Sequence, residues 1–170
     1  LQRSHKEARD ALDESVSIHA ESGVFAAREL HTRLYSEICR AQRYGRQLTV
    51  ITVGVRFREN TASLDAELLR GVAVTLGRVI RAHVDWIGRI GASDEIAFAI
   101  VLPEAGIVDG PTIKDRLSAA VTRFARSQGV EIALTFGVAA LERNGPSASA
   151  VEAKVMLDVA EHCRQCSGRI

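Results

Sequence analysis

At 170 residues the chain is long enough for one domain with a full hydrophobic core. Its 46% hydrophobic and 25% charged residues are ordinary for a globular protein, and a net charge of +1 gives no electrostatic reason to expect nucleic acid or an anionic membrane as a partner. No apolar run approaches the ~20 residues of a membrane helix, the start is too polar for a signal peptide, and three cysteines (Cys39, Cys163 and Cys166) are too few for a disulfide framework. A reducing, cytoplasmic setting is therefore expected, with no membrane contact by this segment. The chain opens without a methionine, which leads to the expectation that it is part of a longer protein.

Residues 1–18 are charged, with Ala8, Leu12 and Val16 at helical spacing. They read as a linker or signalling helix that arrives from an upstream domain or pairs with a second copy of itself. The break falls at "AESG", so the domain proper is taken as residues 19–170. A stronger helix is predicted over 25–44, where Leu30, Leu34, Ile38 and Ala41 make one apolar stripe and Gly45 stops it. "LTVITVGVRF", 48–57, is β-branched and apolar at nearly every position, the mark of a strand covered on both faces. Residues 63–83 return to the helical period through Leu64, Leu68, Val72, Leu76 and Ile80, with Ser63 placed to cap. "RIGASDEIAFAIVLP", 89–103, reads as strand, tight turn and strand, ended by Pro103. A helix over 112–127 carries Ile113, Leu117, Val121 and Phe124, and "ARSQG" is its exit. "VEIALTFGVAAL" is a further strand with Ile132, Leu134, Phe136 and Val138 on one face. "RNGPSAS" is a loop, and a last helix is predicted from about 148 to Gly168.

After the first helix the order is β-α-β-β-α-β, closed by another helix. That is an α+β fold of the ferredoxin-like, palm type: one βαββαβ sheet with its helices mainly on one face. The pattern alone says nothing about function, because the fold hosts many.

Few residues stand out as chemistry. Cys163 and Cys166 form C-x-x-C, but they extend the stripe Val151, Val155, Val159 and so read as core. None of His5, His19, His31, His83 or His162 sits in a metal-ligand spacing. There is no nucleophile elbow and no P-loop. Trp86 alternates with apolar positions and reads as packing, and the arginines make no basic stripe. Asp94 and Glu95 remain. Two adjacent acids at a hairpin tip hold a metal ion with a phosphate ligand, or are simply the polar residues that turns favour.

Several strings resemble the GGDEF family, the diguanylate cyclases, over about residues 17–170. "LHTRLYSEICRAQRYGRQLTVITVGV" is similar to the family's first helix and strand, with a "RAxRxGxxL" joint from Arg40 to Leu48. "VDWIGRIGASDE" resembles the "D-x-x-x-R-[YL]-G-G-D-E-F" hairpin, with Asp85 and Arg89 at the family spacing. "LTFGVAAL" resembles the family's "SiGvA" strand. "LDVAEHCRQCSGRI" resembles its closing helix at Asp158, Ala160, Gly168 and Arg169. The resemblance implies a palm-like core that in active members joins two GTP molecules into cyclic di-GMP.

The departures fall on the chemistry. Where the family's "iDiD" strand supplies a metal-binding aspartate, this chain has Gly54 and Arg56: no ligand, and a charge that repels Mg²⁺. His19 replaces an acid of the "D-x-LTGLxNR" string, of which Gly23 and Arg28 survive. The guanine-reading loop is about five residues shorter, with Asn60 and Asp65 as remnants. The hairpin is about three residues longer. Aligned from one side Asp94 and Glu95 match the signature acids; aligned from the other Phe98 is the signature Phe and the acids are displaced. Either way Ala92 and Ser93 disturb the glycine pair, so Gly91, Ser93, Asp94 and Glu95 form a degenerate signature hairpin. Two-metal phosphoryl transfer needs carboxylates that bring two cations to the phosphates, and one hairpin acid pair does not offset these losses. The resemblance therefore implies a catalytically inactive copy, with no metal and no cofactor.

Two roles follow for such a copy. Many GGDEF domains carry an inhibitory R-x-x-D site that binds cyclic di-GMP, its arginines pairing with phosphate and stacking on guanine. Here Arg81 and Asp85 are spaced one residue too long, and Ala82 stands at the arginine position. Arg81, Asp85 and Arg89 are thus the candidate cyclic di-GMP ligands, set against an ordinary surface ion pair. The other role is an interaction module that forms a homodimer or docks a protein partner through the N-terminal helix. The alternative to both is an active cyclase with rearranged ligands.

Overall fold

The computed structural model describes residues 24–58, 66–90 and 96–141. Their elements run in the order α1 (Ala27–Tyr44), β1 (Leu48–Phe57), α2 (Ala66–Val79), β2 (Trp86–Ile90), β3 (Ile96–Pro103), α3 (Gly110–Ser127) and β4 (Ile132–Leu141). The strands form one sheet in the order β2-β3-β1-β4 with every neighbouring pair antiparallel. β3 is inserted between the parallel strands β1 and β2, and β1 between β3 and β4. These are the two interlocked split βαβ units expected from the sequence.

β1 is the centre of the molecule. Leu48 to Val55 are all buried, and their side chains alternate between two cores. Ile51, Val53 and Val55 face one layer, with Phe98, Ile100 and Leu102 of β3, Leu69, Val72 and Leu76 of α2, and Leu117 and Val121 of α3. Leu48 and Val50 face the other, with Ala99 and Val101 of β3 and the α1 stripe Leu30, Leu34, Ile38 and Ala41. Among the described residues the helices are thus split two and one, with α1 covering the second face. This is why β1 can be apolar on both sides.

Two details of α2 differ from the sequence reading. The buried stripe runs through Leu69, Val72, Ala73 and Leu76, while Leu68 is half-buried. Of two adjacent leucines, packing against β1 and α3 selects the second. The helix also ends at Val79, four residues before the expected His83, because the chain turns at 82–85 and His83 takes a left-handed φ of 64°. Ser63, Leu64, the 1–18 helix, the loop after β4, the closing helix, Cys163 and Cys166 lie outside the described residues.

The ends of α1 and α3 are built from local chemistry. Gly45, at φ 60°, lets the amides of Gly45 and Arg46 reach back to the carbonyls of Gln42 (3.2 Å) and Ala41 (2.7 Å). Before α3, the Asp109 carboxylate accepts the Gly106 N–H at 2.9 Å, and Pro111 occupies the first turn.

The segment leading into α1 closes the free edge of β2. Phe25 bridges Gly88 in parallel: its N–H donates to the Ile87 carbonyl (3.3 Å), and its own carbonyl accepts the Arg89 N–H (2.8 Å). The Arg33 guanidinium lies over the Phe25 ring (4.3 Å) and farther from Trp86 (6.0 Å), and its Nε donates to Glu29 at 2.7 Å. Arg33→Ala is expected to cost about 0.5–1 kcal/mol. It should also speed hydrogen exchange at the Arg89 amide more than in the core of β1, as read by amide exchange NMR.

Candidate functional site

The connection from α2 to β2 is organised by Asp85, whose side chain is 2% exposed. A buried carboxylate needs donors, and it has several. Arg81 supplies its backbone N–H to Oδ2 (2.8 Å), Nε to both oxygens (3.1 Å each) and Nη2 to Oδ1 (2.6 Å). Nη2 also donates to the Pro103 carbonyl at 2.6 Å, which ties the connection to the end of β3. In return the Arg81 carbonyl accepts the amides of Val84 (3.3 Å) and Asp85 (3.0 Å). The hydrogen bonds to Asp85 push the Arg81 guanidinium above its ordinary pKa. Burial opposes this, and the charges of Asp85, Glu104 and Asp109 add to it. Half of the Arg81 side chain, 52%, stays exposed.

The turn between them holds His83 in a left-handed conformation, and Arg81 reaches Asp85 across the R-x-x-x-D spacing.

Arg81 lies at the wall of a groove of about 360 Å³ between the C-terminal half of α1, the start of β1 and the end of β3. Arg40 and Arg46 line it as well, with His83, Trp86 and Glu104. Arg40 pairs with Glu37 at 3.1 Å, and Arg46 pairs with Glu104. His83 and Glu104 are the two non-glycine residues with positive φ among the described residues, and both line this groove. Nearby, Nη2 of Arg116 on α3 donates to the Val79 carbonyl (3.2 Å), two residues before Arg81. Arg40, Arg46, Glu104 and Arg116 were not singled out from the sequence as ligand residues. They come from α1, the α1–β1 joint, the end of β3 and α3, and no single local spacing connects all four.

Arg89 does not join this cluster. It lies four residues beyond Asp85 on an extended strand, ~13 Å along at about 3.3 Å per residue. It is buried opposite Phe98, its guanidinium carbon 5.7 Å from that ring. Gly91, Ser93, Asp94 and Glu95 lie outside the described residues.

At the other end of the sheet, Gly54 is buried between Ala97 of β3 and Thr135 of β4. Arg56 follows, exposed, opposite Ala133. This donor set does not fit a divalent cation: a glycine has no side-chain oxygen, and a guanidinium cannot ligate. Among the described residues no helix is long and apolar enough to cross a membrane.

No family model and no curated protein matches the sequence. Solved structures match the fold. The diguanylate cyclase SiaD from Pseudomonas aeruginosa, solved with its activator SiaC, superposes with a TM-score of 0.74 at 20% identity over 99% of this chain, which spans 64% of the SiaD chain. The GGDEF domain of DgcB from Caulobacter crescentus, in complex with c-di-GMP, gives 0.73 at 15% identity, over 90% of this chain and 88% of that one. An active GGEEF domain of a diguanylate cyclase from Vibrio cholerae gives 0.66 at 20% identity, over 84% and 89%. The chain has the α+β fold of the GGDEF domains of cyclic di-GMP signalling proteins.

Proposed function

We propose that this chain is a catalytically inactive GGDEF-like regulatory domain that binds cyclic di-GMP in the groove at Arg81 and Asp85. The observation that carries the reading is the Arg81–Asp85 pair. A buried carboxylate holds the guanidinium in one orientation, half-exposed, at the wall of a groove lined by two more guanidiniums and the Trp86 ring. A planar, fixed guanidinium is suited to a phosphodiester, and guanidinium planes and indole rings stack on purine bases. Asp85 is too buried to be a major contact for a ligand, so its part is to position Arg81. Arg89 contributes by packing β2 rather than by touching the ligand.

Inactivity is supported at the β1 exit. Gly54 and Arg56 stand where two-metal phosphoryl transfer would require carboxylates, and no catalytic step is assigned to any residue of the chain. Residues 1–18 are the segment that couples the domain to a second copy or to a partner protein. The lead-in segment at Phe25 passes that coupling to β2 through its hydrogen bonds with Ile87 and Arg89.

Titration calorimetry with cyclic di-GMP tests the reading. Saturable heat with a dissociation constant on the order of micromolar is expected. No heat at high micromolar ligand contradicts it.

A further inference from the structure

Each of the three groove arginines is already paired with a carboxylate of the chain, but the three carboxylates are not alike. Those of Asp85 and Glu37 are 2% and 10% exposed, held in the fold by their donors. Glu104 is 55% exposed, and its partner Arg46 is 49% exposed. An ion pair that open to solvent adds little to stability. Yet Glu104 sits in a left-handed backbone conformation, φ 61°, that suits glycine and is unfavourable for a residue with a Cβ. The turn does not need the side chain, because it is pinned by the backbone N–H of Glu104 donating to the Gln47 carbonyl at 2.9 Å. What the side chain does is place a carboxylate on Arg46, at the rim of the groove. Its charge is also felt at Arg81.

We propose that Arg46 is a phosphate-binding residue of the groove and that Glu104 is an autoinhibitory carboxylate occupying it, so that a phosphate group of the ligand must displace Glu104 to bind. The assignment rests on the cyclic di-GMP reading above. It adds to that reading a cation contributed by the α1–β1 joint and an internal competitor contributed by the end of β3. The competition is between two anions for one guanidinium, and no bond is made or broken.

The test is a double-variant cycle read by titration calorimetry with cyclic di-GMP at low ionic strength, with thermal melts to confirm folding. The variants are Glu104→Gln, Arg46→Ala and the two combined. Glu104→Gln is expected to tighten binding roughly fivefold. Arg46→Ala is expected to weaken it, and the gain from Glu104→Gln should be lost or much reduced when Arg46 is absent. Wild-type binding with an unchanged or weaker Glu104→Gln variant overturns the autoinhibitory contact and leaves the cyclic di-GMP reading standing. So does an equal gain in both backgrounds, which would make Glu104 a general negative charge rather than a competitor for Arg46. Absence of binding by every variant, wild type included, overturns the cyclic di-GMP reading and this inference with it.

Discussion

Gly88→Ala is expected to destabilise the domain by about 3 kcal/mol, at the upper end of the cost of overpacking a close-packed interface. A Cβ at Gly88 would lie 2.9 Å from Cβ, Cδ1 and Cδ2 of Leu30. Leu30 is fully buried on the inner face of α1, and a Cβ cannot rotate out of the way. The helix itself would have to retreat. Gly88 also carries the bridge to Phe25, so the lead-in segment would move with it. Urea denaturation followed by circular dichroism should show a lower midpoint with little change in slope. A second consequence follows for the groove: α1 carries Arg40, and β2 continues from Asp85. Displacing one against the other should weaken cyclic di-GMP binding in the fraction that remains folded. An unchanged midpoint would mean that α1 and β2 do not approach as closely as Leu30 and Gly88 require.

Arg81→Ala is expected to weaken cyclic di-GMP binding by about two orders of magnitude, about 2.8 kcal/mol at 1.4 kcal/mol per tenfold. The ligand loses its oriented guanidinium. Asp85 also loses the Nε and Nη2 donors and keeps the Arg81 backbone amide. The folded state should lose about 1–3 kcal/mol, the cost of leaving a buried acceptor poorly satisfied. Arg81→Lys separates the two effects. It keeps the charge but not the fork, so it should recover part of the stability and little of the binding. Calorimetry gives the affinities and thermal melts give the stabilities. Equal affinity of wild type and Arg81→Ala, with both folded, would remove Arg81 from the site.

Much of this fold is legible in the sequence because it rests on local periodicity. The stripe Leu30, Leu34, Ile38 and Ala41 is buried as its spacing requires, Gly45 ends α1, Pro103 ends β3, and the apolar run of β1 is covered on both faces. Where the sequence misleads, a non-local contact decides. Leu68 and Leu69 satisfy a helical stripe almost equally well, and the packing of α2 on the sheet chooses Leu69. Ile80 continues the period, yet α2 stops at Val79 because Arg81 is drawn to Asp85 and to the Pro103 carbonyl. The site is less legible than the fold for the same reason. Arg81 and Asp85 are visible as a motif one residue too long, and only the structure shows that the two side chains meet across a left-handed turn at His83. Arg89 has the right spacing from Asp85, but a strand carries it away from Arg81. Arg40, Arg46 and Glu104 reach the groove from α1, the α1–β1 joint and the end of β3, a convergence with no signature in the chain order.

On the proposed function, this GGDEF-like domain binds cyclic di-GMP and does not make it. The most direct measurement is one incubation of the protein with excess GTP, Mg²⁺ and a trace of labelled cyclic di-GMP. Equilibrium dialysis then measures the label retained on the protein side, and the nucleotides of both chambers are analysed by chromatography. The label should be enriched with the protein and the GTP recovered unconverted. New cyclic di-GMP in either chamber, or equal label in the two, would overturn the proposed function.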